Sequence, residues 1–114
     1  NQTVKRSNLS VRMAELNIQD QLDEMERLYE ILTRELEYLN RLDELYQEKL
    51  EQANSQIQIA EERYRLGLID LLELDKTRVD FINSEISYYS NRYQILAKQE
   101  AINNLLSLKI MGKW

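Results

Sequence analysis

The chain has no proline, no cysteine and no histidine, and only two glycines in 114 residues, Gly67 and Gly112. Each absence removes something. Sharp chain reversals draw on glycine, proline, asparagine and aspartate, so a chain with one interior glycine and no proline turns sharply about once. Without histidine and cysteine the usual zinc and transition-metal ligand sets are missing. Thiol nucleophiles, Ser-His-Asp triads and imidazole acid-base catalysis go with them. No glycine-rich phosphate loop is present. Neighbouring carboxylates such as Glu61 and Glu62, or Asp43 and Glu44, fall on different faces of a helix and cannot work as a pair. The expectation is a protein that is not an enzyme, with no cofactor and no metal.

Charge and hydropathy exclude more. The net charge is -5, where a nucleic-acid binder needs a basic face. No run of about 18 apolar residues is available to span a membrane as a helix. The start at Asn1 does not read as a signal peptide. What remains is a chain that is 43% hydrophobic and 31% charged, rich in Leu, Glu, Gln, Arg and Tyr. That composition belongs to long helices.

The spacing of apolar residues gives the architecture. Val11, Ala14, Ile18, Leu22, Met25, Tyr29, Leu32, Leu36, Leu39, Leu42, Tyr46, Leu50, Ala53, Ile57, Ala60 and Tyr64 form an unbroken series. Its mean step is about 3.5 residues, the coiled-coil repeat, which predicts a left-handed supercoil. A second series, Val79, Ile82, Ile86, Tyr89, Tyr93 and Leu96, alternates steps of three and four. Between them lies the one break. Gly67 suits the left-handed conformation that ends a helix, with Arg63 and Arg65 in the last turn. Asp70 then fits as the next N-cap, Glu73 stands at capping-box spacing, and Ile69 and Leu74 flank the cap as a hydrophobic staple.

The expected fold is therefore all-α, an antiparallel two-helix coiled-coil hairpin. Its first helix covers about residues 3–65, its tip 66–69, and its second helix about 70–110. At 1.5 Å per residue the helices span roughly 90 Å and 60 Å. Folding about the tip sets residue 110 near residue 25, so the start of the first helix overhangs with Leu9, Val11, Ala14, Leu16 and Ile18 in need of a partner.

Each helix also carries a second stripe at heptad spacing. On the second helix it is Leu74, Phe81, Tyr88, Ile95 and Ile102. On the first it is Ile31, Tyr38, Leu45, Ile59 and Leu66, interrupted by Gln52. Two paired helices need one seam each, and a second seam implies a second neighbour. These stripes are the candidate surfaces for lateral helix packing. The tyrosines at 29, 46, 64, 89 and 93 belong to the first seams and are expected to be packing residues.

Across the tip the sequence reads Arg63-Tyr-Arg-Leu-Gly67-Leu-Ile-Asp-Leu-Leu-Glu73, and it ends Leu105-Leu-Ser-Leu-Lys-Ile-Met-Gly112-Lys-Trp114. With Ala14-Glu-Leu16 in the first helix, this resembles the TolC-like outer-membrane efflux channel family. Tyr64, Gly67, Glu73, Gly112 and Trp114 carry the likeness. The chain departs from it at Asp75, Lys76 and Thr77, where family members usually have an apolar residue and then Asp-Ala.

The resemblance implies a homotrimer in the full-length protein. Each protomer contributes two such hairpins to a periplasmic α-helical barrel below an outer-membrane β-barrel. The chain would be the periplasmic portion of a Gram-negative outer-membrane protein, a passive duct for efflux or type I secretion. Its partners would be a periplasmic adaptor and an inner-membrane pump. The tip residues Tyr64, Arg65, Leu66, Gly67, Leu68, Ile69, Asp70 and Glu73 would gate the entrance and meet the adaptor. Leu66, Leu68 and Ile69 would be its apolar knobs. Asp70, Glu73 and Asp75, balanced by Arg63 and Arg65, would in a trimer form an acidic ring at that entrance, although capping and a solvated face at a helix start account for each of these acidic residues by themselves. Two other readings stand beside this one. A tethering coiled coil needs only the hairpin, and an adaptor's own hairpin is a third possibility, against which the unequal helices argue.

Overall fold

The computed structural model describes residues 1–111. The expected ending at Gly112 and Trp114 lies outside the described residues. Two helices make up the fold, α1 over Gln2–Arg65 and α2 over Leu71–Met111, and no strand occurs among the described residues. Neither helix contains proline or an interior glycine, so nothing interrupts the backbone ladder. Asn1 caps the start of α1, its side-chain oxygen accepting the Thr3 N–H at 3.1 Å.

The chain divides into two units, each made from one stretch of α1 and one of α2. The unit Leu36–Lys98 contains the turn and is an antiparallel hairpin. Near the turn Ile57 and Ala60 pack against Leu74, which is 1% exposed, with Ile69 and Phe81 around them. Small Ala60 is buried here among bulkier partners. Further along, Leu39 and Ala53 are buried on α1, and the carbonyl of Leu39 meets Asn91 of α2.

Burial exchanges the two faces of α2 relative to the expectation from spacing. Leu74 is buried and Phe81, Tyr88 and Ile95 are half-buried in this unit, so this stripe lies against α1 and not toward a lateral neighbour. The series Val79, Ile82, Ile86, Tyr89, Tyr93 and Leu96, expected to be the hairpin seam, is exposed throughout. The start of this is local. Leu74 packs with Ile69 across the Asp70 cap, and this sets the inward position at the beginning of α2. Thr77, Ser84 and Asn91 then occupy alternate positions of the inner seam, so that seam is only half apolar. On α1, by contrast, Ile31, Tyr38, Leu45 and Ile59 are exposed and stay on the outward face.

The other unit joins Asn1–Glu35 to the part of α2 from Gln99 on. Here Leu105 is buried and Leu22, Met25, Leu32, Ala101 and Ile102 are half-buried. Met25, Tyr29, Leu105, Leu106 and Lys109 line an open groove between the helices. Residues 1–21 are exposed at every position, Leu9, Val11, Ala14, Leu16 and Ile18 included.

The exchanged faces have different energetic consequences. Leu74→Ala removes a buried side chain beside small neighbours and is expected to lower stability by about 3 kcal/mol. Ile86→Ala, on the exposed face, is expected to change it by less than about 0.5 kcal/mol. Urea titrations of the two variants measure this, and equal losses would contradict the orientation of α2.

Candidate functional site

Two kinds of surface stand out, the tip and the outward apolar faces. The tip is built by three backbone hydrogen bonds. Leu66 N–H reaches the Glu62 carbonyl at 3.0 Å, Gly67 N–H the Tyr64 carbonyl at 3.0 Å, and Leu68 N–H the Arg63 carbonyl at 2.8 Å. The last two are the paired bonds of a Schellman motif with Gly67 at its left-handed position, φ 74°. Asp70 then starts α2. Its carboxylate accepts the Glu73 N–H at 2.8 Å, and its carbonyl accepts the Leu74 N–H at 3.2 Å.

This geometry sorts the expected tip residues. Tyr64, Arg65, Leu66, Gly67, Leu68, Asp70 and Glu73 are exposed, whereas Ile69 is half-buried against the Ile57–Leu74 core. Ile69 is thus a staple, not an outward knob. Its place is taken by residues that spacing did not single out. Leu72 is 79% exposed and Leu71 lies open beside it, together with Leu68 at 70%. For Leu72 the signal was available, since two residues before Leu74 is the far side of the helix, whereas Leu71 lies on the flank of the seam. In many such caps the residue after the glycine folds back onto its helix. Leu68 does not, and four exposed leucines, at 66, 68, 71 and 72, crown the turn.

The charges around the tip are paired locally. Arg65 binds Glu62 through two nitrogens, its Nε donating to Oε2 at 3.0 Å. Arg78 approaches Asp75 at 3.5 Å within α2. Asp70 is occupied as the cap, and beside it Arg63, Ile69, Glu73, Thr77 and Asp80 line a shallow groove on the flank of the turn. Among the described residues no group of three or more carboxylates is placed to hold a metal ion. Nor, among them, is any helix long and apolar enough to cross a membrane.

The outward face of α2 is the second surface. Leu72, Val79, Ile82, Ile86, Tyr89, Tyr93 and Leu96 repeat at coiled-coil spacing, and Tyr93 is 73% exposed. Scattered exposed apolar residues are ordinary, but an ordered stripe of this length marks a binding surface. On α1 the corresponding outward stripe is Ile31, Tyr38, Leu45 and Ile59.

The tip yields two expectations. Gly67→Ala meets no atom within 4 Å, so its whole cost is the left-handed backbone. That cost is about 1–2 kcal/mol by thermal unfolding, and a neutral result would show that the turn rearranges freely. The Glu62 carboxylate is held below its ordinary pKa, mainly by the Arg65 hydrogen bond and slightly against the effect of burial. A lowered folded-state pKa contributes stability above the ordinary glutamate value of 4.5 and loses it as pH falls through the lowered one. Carboxyl NMR titration should find Glu62 below the ordinary glutamate value, and higher in Arg65→Gln than in the parent.

No family model, no curated protein and no solved structure matches this chain.

Proposed function

We propose that this chain is a periplasmic hairpin of an outer-membrane export duct, a passive conduit that performs no chemistry. In this reading hairpins stand side by side in a trimeric α-helical barrel. The tips gate its entrance and dock a periplasmic adaptor that links the duct to an inner-membrane pump. The observation that carries the reading is the outward apolar stripe on each helix. A tether needs one seam per helix, whereas a barrel stave needs a neighbour on both sides. The leucine crown supports it further, because four exposed leucines on a rigid turn suit a recessed apolar partner better than water. The resemblance around Tyr64, Gly67 and Glu73 points the same way.

Within the full-length protein, Leu68→Asp and Leu72→Asp are expected to abolish both export and crosslinking to the adaptor. Helix content and trimerisation should stay as in the parent, since neither side chain packs in the hairpin. Tyr93→Asp should instead weaken trimer assembly, leaving the stability of the single hairpin within about 0.5 kcal/mol. Export and crosslinking that survive both tip variants would remove the docking role. Assembly indifferent to Tyr93→Asp would leave a tethering coiled coil.

A further inference from the structure

Within Leu36–Lys98, α2 has two seams on roughly opposite faces, and it buries the less apolar one. The inner seam alternates Leu74, Phe81, Tyr88 and Ile95 with Thr77, Ser84, Asn91 and Lys98, whereas the outer seam is apolar at every position from Val79 to Leu96. Hydrophobic burial alone favours the outer seam against α1. Something must oppose it.

One polar cluster sits where the two options differ most. Asn91 is 3% exposed, and its Nδ2 donates to the Leu39 carbonyl at 2.9 Å. One turn along α1, Asp43 meets Arg92, with Nε 3.2 Å from Oδ1 and a terminal nitrogen donating to Oδ2 at 3.4 Å. The same guanidinium lies 5.1 Å from the centre of the Tyr88 ring. Asp43 Oδ1 is shielded from water and has no hydrogen bond of its own, so the charge of Arg92 is what compensates it. Rolling α2 to its outer face would withdraw Asn91 and Arg92 together. The carboxylate of Asp43 would then face Ile86, Tyr89 and their neighbours with no counter-charge, which is strongly unfavourable.

We propose that the Asn91–Leu39 bond and the Arg92–Asp43 pair form a phase selector. They commit α2 to its half-polar face and hold its fully apolar face out to solvent. A buried asparagine acts this way in coiled coils, lowering stability relative to an apolar residue while rejecting other alignments. Leu39 illustrates the asymmetry. Its carbonyl keeps a helical N–H partner in either case, so replacing Asn91 leaves no orphaned acceptor. The selector is independent of what covers the outer face.

The absence of cysteine makes the test clean, because a single introduced thiol is the one reactive site. Ile86→Cys reports the outer face and Ile95→Cys the inner one, each measured with and without Asn91→Leu plus Asp43→Leu. With the selector intact the outer thiol reacts faster. Without it, both phases populate, so the rate at position 86 should fall about twofold or more and that at 95 should rise. Helix content by circular dichroism should be retained. Unchanged rates at both positions overturn the proposal. So does loss of helicity, which would make the cluster a plain stability element.

Discussion

The left-handed backbone at Gly67, followed three residues later by the Asp70 cap, fixes where α1 ends and how α2 begins. A helix is stiff over tens of residues, so its rotational phase is set wherever it is first fixed. Here that point is Leu74, drawn inward by Ile69 and held against Ile57 and Ala60. Every seventh residue after it inherits the inward position, and the intervening polar residues at 77, 84 and 91 are carried in as well. The turn therefore sets the inward side of α2 at its start, and the contacts of Asn91 and Arg92 hold that side further along.

That decision separates folding from recognition. The inner seam of Leu36–Lys98 is weak in hydrophobic terms, with four α1 side chains but of the apolar α2 residues only Leu74 buried. It is specific, because Asn91 and the Asp43–Arg92 pair have partners in one alignment alone. The outer seam is strong and unspecific in the same terms, an apolar stripe without a polar member between Val79 and Leu96. Placing the strong seam inside would give a more stable hairpin with nothing left to assemble. The observed arrangement leaves the more apolar seam exposed, in keeping with the lateral packing proposed above.

Much of this was legible in the sequence. The lack of proline, the lone interior glycine and the heptad spacing identify two long helices and their joint. The Asp70 cap and the Ile69–Leu74 staple were readable from residue type alone. The faces of α2 were not assigned correctly by spacing, for a physical reason. Both of its stripes repeat near 3.5 residues, and counting apolar positions favours the stripe with more of them. The inner stripe hides behind Thr77, Ser84 and Asn91. The missing step was to join two features already in view. Once the staple puts Leu74 inside, heptad arithmetic puts Phe81, Tyr88 and Ile95 inside with it. Asn91, Asp43 and Arg92 escaped notice because single polar residues on a charged helix carry no signal until their partners are known.

The tip follows from the same constraint. With Leu74 at the start of the inner seam, Leu72 falls on the far side of α2 and Leu71 on its flank, and both are exposed. Gly67 turns Leu66 and Leu68 outward from the other side, and the result is a leucine crown on a turn in which the N–H groups of Leu66, Gly67 and Leu68 are hydrogen-bonded. Such a surface has little conformational freedom to lose on binding, which favours association with a preformed apolar recess. The paired charges below it, Arg65 with Glu62 and Arg78 with Asp75, are exposed and contribute little to stability. They keep the flanks of the tip hydrated while its apex stays apolar. A hairpin so divided presents two distinct apolar surfaces, one along the outward face of α2 and one at the turn.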